Sequence, residues 1–294
     1  MVQKLMSAVL VLISVGVICG ETAHAAFSMA ATPARVESAP REALVKMIEK
    51  AYAQGEKAAY VFDLDETLVD SAPRRYLSIL DAFADVCEGD DPRFPRAEED
   101  LHPDCVVREA LTLEGLYRLR NRYDDVIYLR QAGAQDPEFI DAVLDQALSI
   151  YLSGRYIVED DHLNRGAKSF VQELKRADAK VYFVSSRSRR YQGAETLEFL
   201  RRRGFIRAGE EDLLFLKEED EVSVEFKYRS AEEIRDRVES RGGQVIGIFE
   251  NEPENLDAWA SIFPKAKAFF VEGAYLKNGP IPAKSILLED FRMP

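Results

Sequence analysis

Two aspartates, Asp63 and Asp65, stand at the end of the apolar run Ala58-Ala59-Tyr60-Val61-Phe62. The run is short and rich in aromatic and branched residues, which predicts a strand buried on both faces. Two carboxylates at such a strand end are costly unless something uses them. In an open α/β sheet the carboxyl end of a strand is where ligands bind. One carboxylate can attack as a nucleophile while the second trades protons with leaving group and water, a division of labour that needs different pKa values at close quarters. A divalent cation would hold the pair's negative charge in check. A calcium loop of the EF-hand kind fails here, because Leu68 occupies the position that needs Gly and Arg74 the position that needs a bidentate Glu. A plain solvated acidic turn is the other reading, and the remainder of the chain has to decide.

Three further features suit a phosphoryl-transfer site, each at or just after an expected strand end. Ser185 follows Val181-Tyr182-Phe183-Val184, well placed to hydrogen-bond a phosphoryl oxygen. Lys227 lies in EFKYRSAEEI at the opening of a helix, where its ammonium would neutralise nucleophile and phosphate. Glu250 and Glu254 lie in IFENEPENLDAW, a strand end followed by acids suited to holding Mg²⁺ through oxygen ligands. Each alone is ordinary: a Ser cap, a solvated Lys, an exposed acidic loop. Their succession behind D-x-D-x-T is what sets them apart.

The elements that must position these groups follow from pattern. Arg41–Gln54 carries Leu44, Met47, Ile48 and Ala51 at helical spacing and ends at Gly55. Between Pro73 and Arg165 no strand pattern stands out. Tyr76, Leu77, Leu80 and Phe83 suit a helix towards Cys87, 88–103 is a proline-bearing acidic loop, and 111–129 and 137–152 read as two more helices. The second has Ile140, Val143, Leu144 and Leu148 on one side, and the tyrosines of this stretch, among them Tyr117, Tyr123, Tyr128, Tyr151 and Tyr156, are expected in its core. From Gly166 strands and helices alternate: a helix with Phe170, Val171 and Leu174, the strand Val181–Val184, a helix over 196–203, a short strand 213–216, a helix with Ala231, Ile234 and Val238, the strand 244–249, and a last strand 268–271. That rhythm predicts an α/β fold, a Rossmann-like three-layer sandwich with a mostly parallel sheet and an inserted helical cap. The expected division is 41–73 and 166–294 for the core and 74–165 for the cap.

Bulk properties narrow the partners. The chain has 294 residues, 47% of them hydrophobic and 31% charged, a globular composition long enough for a core plus an insertion. A net charge of −13 leaves no basic stripe for nucleic acid and no long-range pull on an anionic substrate, so local Arg and Lys must supply it. At the N-terminus Lys4 precedes an apolar run, Ala8–Cys19, and Ala23-His24-Ala25 offers small residues where a signal peptidase reads. The run is roughly a dozen residues against the ~20 of a comfortable span, so 1–25 is expected to be a cleaved signal peptide, with an uncleaved anchor as the alternative. Residues 26–40 read as a flexible lead-in. The mature chain would be exported, periplasmic or secreted, with no membrane attachment after cleavage. It would keep two cysteines, Cys87 and Cys105, either two separate thiols or a bridge closing a loop of roughly 18 residues, worth about 3 kcal/mol in the chain-entropy picture.

The set as a whole resembles the haloacid dehalogenase-like (HAD) phosphohydrolases, most closely the secreted acid phosphatases of the class B and class C kind. DLDETLVDS is similar to the family's first motif, GAKSFVQELKRADAKVYFVSSR to the stretch around the second, and LLFLK with KYRSAEEI to the approach to the motif lysine. The resemblance implies Asp63 as the nucleophile that forms an aspartyl-phosphate, and Asp65 as the residue that protonates the leaving group and then activates water. Ser185 and Lys227 would bind the phosphoryl group, Thr67 would support the loop, and Asp63, Asp65 (through its carbonyl), Glu250 and Glu254 would hold Mg²⁺. Asp70, Arg187 and Arg189 are further candidates from the residues themselves, the arginines for a second anion contact. The substrate would be a small phosphomonoester, and the helical stretch would cover the site.

One departure stands out. The family carries Asp where this chain has Glu250, generally after Gly where this chain has Phe249. One added methylene moves a carboxylate by about 1.5 Å, a large displacement for an ion whose octahedron sits near ~2.1 Å. Two functions therefore remain in view: an exported Mg²⁺-dependent phosphomonoesterase, and a HAD-fold binding or scaffold protein with weakened or lost turnover. Neither the substrate nor the oligomeric state is legible.

Overall fold

Helix α1 (Pro40–Gln54) buries Ala43, Leu44, Met47 and Ala51, the stripe its spacing predicts, and delivers the chain to β1 (Ala58–Phe62), every residue of which is buried. This computed structural model describes residues 40–89, 93, 102–119, 121, 123–274 and 280–293. The expected signal peptide at 1–25, the lead-in up to 39, and most of the loop at 88–103 lie outside the described residues.

After a tight loop come β2 (Val69–Asp70) and α2 (Ala72–Cys87), with Pro73 in the first turn, where its missing N–H costs nothing. A 3₁₀ helix follows over Pro103–Ala110, then α3 (Leu113–Tyr117), α4 (Asp125–Ala132), α5 (Pro137–Leu152), α6 (Ile157–Asp160) and β3 (His162–Leu163). The α/β alternation then runs α7 (Ala167–Arg176), β4 (Lys180–Ser188), α8 (Arg189–Arg202), β5 (Leu214–Lys217), α9 (Ser223–Glu239), β6 (Gln244–Glu250), α10 (Pro253–Ile262), β7 (Lys267–Val271) and β8 (Ile286–Leu288).

The six-stranded sheet has the order β5-β4-β1-β6-β7-β8, and every pairing in it is parallel. Alternate residues of β1 serve opposite faces. Tyr60 and Phe62 join the cluster with α1, α7 and α8, whereas Ala59 and Val61 join the one with α9 and α10, so helices cover both sides. The chain runs from β1 outward through β4 to β5 and then returns to β6 on the other side of β1. The carboxyl ends of β1, β4 and β6 therefore flank a topological switch point, the place where such sheets bind ligands. The fold class read from sequence is the one observed.

Several local expectations differ. The single helix expected over 111–129 is two, because Thr112 caps α3 through its side chain and the Asn121 carboxamide accepts from Tyr123 N–H, a local turn that competes with helix. Helix α8 begins at Arg189 rather than 196, with the Ser188 hydroxyl accepting from Tyr191 N–H. β7 is not the last strand, since β8 pairs outside it, and its three residues are too few to show a period. The 73–165 stretch does contain strand: β3 pairs antiparallel with β2, Asp70 opposite His162 and Val69 opposite Leu163.

The residues between β2 and β3 build a cluster of their own around Phe83, Leu116, Leu129, Phe139 and Val143. Cys87 and Cys105 form a disulfide there, with Cα atoms 5.9 Å apart. Tyr128 is buried in this cluster as expected, but Tyr117 is largely exposed.

Candidate active site

The backbone after β1 is fixed before any side chain acts. Asp63 N–H donates to the Phe249 carbonyl at 3.0 Å, extending the ladder one residue past the strand, and Thr67 and Val69 N–H both donate to the Leu64 carbonyl at 3.1 and 2.8 Å. Glu66 takes a φ of 61°, a region that costs a non-glycine residue on the order of 1–3 kcal/mol. Its buried carboxylate offsets part of that cost by accepting from the Ser71 N–H at 3.2 Å and the Ser71 hydroxyl at 2.8 Å. The Thr67 hydroxyl donates to Asn251 Oδ1 at 3.0 Å, and Asn251 Nδ2 donates to the Ala274 carbonyl at 2.6 Å, so the loop is tied to the end of β6.

Lys227 enters from the first turns of α9 and is buried. An ammonium has three donors, and all three are used: on Asp63 Oδ1, on the Val184 carbonyl at 2.9 Å, and on Glu250 Oε2 at 2.8 Å. The Trp259 ring lies 4.8 Å from Nζ, and its indole N–H donates to the Lys227 carbonyl at 3.0 Å. Burial pushes the Asp63 carboxyl up to about 7; the Glu250 charge adds to this and Lys227 opposes it. Glu250 is also raised by burial, against the pull of Lys227. Lys227 itself is held above its ordinary value, the two carboxylates outweighing the burial that would lower it. Two carboxylates thus share one ammonium in a water-poor site.

Asp65 faces a different set. Arg187 donates from Nε to Oδ2 at 2.9 Å and from Nη2 to Oδ1 at 2.6 Å, and Arg74 donates from Nη2 to Oδ1 at 2.8 Å. Burial would raise its pKa, but Arg187 and Arg74 outweigh it and hold the carboxyl well below the usual range. Asp161, fully buried at the end of the helical segment, pairs with Arg187 at 2.6 Å and lies 3.1 Å from Arg74 Nε, without hydrogen-bond geometry in the second contact. The quartet joins α2, the loop after β1, the end of β4 and the chain before β3. Tyr151 completes it, its hydroxyl accepting from Arg74 at 2.9 Å and donating to Ser71 at 3.2 Å.

These groups surround a cavity of about 370 Å³ at the switch point. Asp63, Asp65, Ser185, Arg187, Lys227 and Glu250 all line it, and Glu254 stands on its wall at the start of α10. Three expectations need correction. Arg187 lines the cavity, but its guanidinium is taken up by Asp65 and Asp161, so it positions Asp65 and offers no open hand to an anion. Arg189 is outside, paired with Glu218 at 2.6 Å on the surface. Asp70 is outside as well, accepting from Ala72 N–H at the start of α2. Arg74, Asp161 and Asn251 were missed, and so was the place of Tyr123 and Tyr151 on the cavity wall rather than in a core.

The four expected metal ligands are not gathered either. Among the described residues no three acidic, histidine or cysteine side chains converge on one point. Both Asp65 oxygens accept from guanidinium groups, while Glu250 Oε1 accepts from the N–H groups of Asn251 and Glu252 at 3.0 Å each and Oε2 from Lys227. Mg²⁺ usually keeps several waters and takes one or two carboxylates plus phosphate oxygens. Asp63 and Glu250, two buried carboxylates neutralised by one ammonium, fit that smaller requirement; the guanidinium groups occupy the Asp65 carboxylate and not the backbone carbonyl expected to serve there, and Glu254 stands on the cavity wall.

The departure at position 249 also finds its reason. Phe249 is fully buried and stacks between Phe62 and Phe269, with ring centroids 4.4 and 4.5 Å away. The ring belongs to the core under the site.

No protein-family model and no curated protein matches the chain. Among solved structures it is similar to a predicted phosphoglycolate phosphatase from Haemophilus somnus 129PT, at 18% identity over 80% of this chain and 95% of that one, with a TM-score of 0.45. It is similar to CbbY from Rhodobacter sphaeroides in complex with phosphate at 18% identity, 79% and 94% coverage and a TM-score of 0.42. It is also similar to a HAD hydrolase of family IA, variant 3, from Entamoeba histolytica HM-1:IMSS at 14%, 80% and 93%, with a TM-score of 0.44.

Proposed function

We propose that the protein is a HAD-type phosphomonoesterase that works through an aspartyl-phosphate on Asp63. The observation that carries this reading is the placement of Asp63 at the end of β1 on the cavity floor, its Oδ1 on the buried Lys227 ammonium, with a second carboxylate of opposite pKa tendency two residues on. Asp63 attacks phosphorus in line, the P–O bond to the alcohol breaks, and the departing alkoxide takes a proton from solvent water. Water then attacks the acyl phosphate, Asp65 takes its proton, and inorganic phosphate and free Asp63 are released. Ser185 donates to a phosphoryl oxygen, while Lys227, its three donors engaged, contributes positive charge beside the phosphoryl group. The two arginines keep Asp65 in its base form, which suits the second half-reaction and leaves the first dependent on how readily the alcohol departs. When bound at Asp63 and Glu250, Mg²⁺ supplies further neutralisation of phosphoryl charge.

Export is part of the proposal. It is supported by Lys4, the apolar run to Cys19 and Ala23-His24-Ala25, and by a disulfide of the kind that persists in oxidising compartments. Among the described residues no helix is long and apolar enough to cross a membrane.

The test is hydrolysis of p-nitrophenyl phosphate by purified protein with Mg²⁺. Asp63→Asn is expected to abolish turnover, EDTA to suppress it and added Mg²⁺ to restore it. Turnover that survives Asp63→Asn overturns the reading. A binding or scaffold role is favoured by one observation, that hydrogen bonds already engage both oxygens of Glu250. Calorimetry showing no Mg²⁺ uptake at millimolar metal, together with no turnover of any phosphoester, would select it.

A further inference from the structure

The cavity has two unlike ends. Its floor is the polar group already described; its far wall is apolar. Helix α5 presents Leu144, Ala147, Leu148 and Leu152 to it, joined by Ile79 from α2 and Val224 from α9. The four α5 positions fall at i, i+3, i+4 and i+8, one face of a helix. Phe139, Ile140 and Val143 of α5 pack in the helical layer's own core together with Ala147 and, at its edge, Leu144, which leaves Leu148 and Leu152 as the part of the cavity-facing stripe outside that core. Leu148 and Leu152 remain 57% and 44% exposed, large apolar side chains beside an opening and without a packing role to match.

The charges around the cavity point the same way. Three cations line it, and each already faces a carboxylate: Lys227 faces Asp63 and Glu250, Arg187 faces Asp65, and Arg75 Nε donates to Asp125 at 2.6 Å. The Arg75 guanidinium also covers the Tyr123 ring, 4.4 Å from its centroid. Glu252 and Glu254 also stand on the wall. A second phosphate or a carboxylate on the substrate would meet acids, and hydroxyls lying against the α5 leucines would be left without partners there, the polar side chains Ser78, Gln192, Ser223 and Asn255 of the lining standing on other elements.

We infer that the substrate is a phosphomonoester of an uncharged, apolar alcohol, its phosphoryl group on the floor and its hydrocarbon against α5. The inference rests on the phosphatase reading of the floor. A volume of about 370 Å³ lies within the roughly 300–1,000 Å³ of small-molecule sites, well beyond what a phosphate alone would fill.

The test uses a matched pair of primary alkyl phosphates on six-membered rings, cyclohexylmethyl phosphate and glucose 6-phosphate, with 3-phosphoglycerate as the anionic member. The expected result is a kcat/KM at least ~10-fold higher for cyclohexylmethyl phosphate than for either other compound. Leu148→Asn, at an exposed position, should lower that value several-fold and narrow the gap to glucose 6-phosphate. Equal rates, or a preference for glucose 6-phosphate or 3-phosphoglycerate, overturn the inference while leaving a phosphatase in place. If no compound, p-nitrophenyl phosphate included, releases phosphate, the reading of the floor fails instead. Calorimetry on Asp63→Asn then decides the wall independently: tighter binding of cyclohexylmethyl phosphate than of glucose 6-phosphate supports the apolar site, and equal or reversed affinity sinks it.

Discussion

Asp63 and Asp65 lie two residues apart, yet their surroundings drive them in opposite directions. Burial, with Glu250 adding, lifts Asp63 to about 7, while Arg187 and Arg74 hold Asp65 low despite its burial. A carboxyl whose folded pKa exceeds its unfolded value binds its proton more tightly in the fold, so it adds stability at low pH that is lost as pH rises towards the folded value. Asp63 should therefore make the protein lose stability between about pH 4 and about 7, and Asp63→Asn should flatten that decline. Urea denaturation of both proteins at several pH values across that window reads the difference, and identical slopes would contradict it. Asp65, with the opposite shift, contributes stability that disappears only below the ordinary carboxylate range. Arg74 is the other residue to change. Arg74→Gln removes one of the two arginines on Asp65 and one of the two beside Asp161, leaving Arg187 to serve both carboxylates, and breaking such a buried pair costs about 3–5 kcal/mol. A fall of that size in the free energy of unfolding, read from urea denaturation, is expected, larger than for Arg189→Gln on the surface. Asp63, Ser185, Lys227 and Glu250 were legible because each follows or opens an element whose apolar pattern is plain. Arg74 and Asp161 were not, since their meaning lies in a contact across 87 positions of chain (161 − 74) that no local pattern announces.

At the scale of elements, the sheet was readable and the helical stretch less so. Strands buried on both faces appear as unbroken apolar runs, so β1, β4 and β6 emerge from the letters alone. Two-residue strands and a helix interrupted by an asparagine turn have no period to detect. The α5 stripe was seen only in part, because an apolar side chain facing a cavity and one facing a core look alike in sequence. Gly166 shows the same limit for backbone. At φ 79° it opens α7 beneath the C-terminal segment, and a Cβ there would come within 2.3 Å of the Phe291 carbonyl carbon. The disulfide gives a prediction at this scale. It links the end of α2 to the 3₁₀ helix 18 positions on, and replacing both Cys87 and Cys105 by Ser should cost about 3 kcal/mol. Denaturation with and without reductant measures it; reductant should shift the natural protein and leave the double variant unchanged.

The whole molecule carries −13, and a phosphomonoester is itself an anion. Removal of residues 1–25 would leave that charge unaltered, since Lys4 and Glu21 cancel. Repulsion at long range and attraction confined to short range mean that salt should help the encounter: kcat/KM is expected to rise as ionic strength goes from about 0.01 to 0.15 M and the screening length falls from about 30 Å to about 8 Å. A decline over that range, measured at fixed Mg²⁺, would show that a local positive field dominates. The small antiparallel ribbon of β2 and β3 has a consequence of its own. Because the chain departs from the larger sheet and returns to it through adjoining strands, with Asn164 N–H also donating to the Leu68 carbonyl at 2.9 Å, the two crossings form one doorway. Whatever hangs beyond that doorway can be lengthened or exchanged over generations without displacing a strand that carries Asp63, Ser185 or Glu250. Arg74 and Asp161 would travel with it as a pair, so the surface that meets the alcohol is free to diverge while the floor that meets phosphorus stays still.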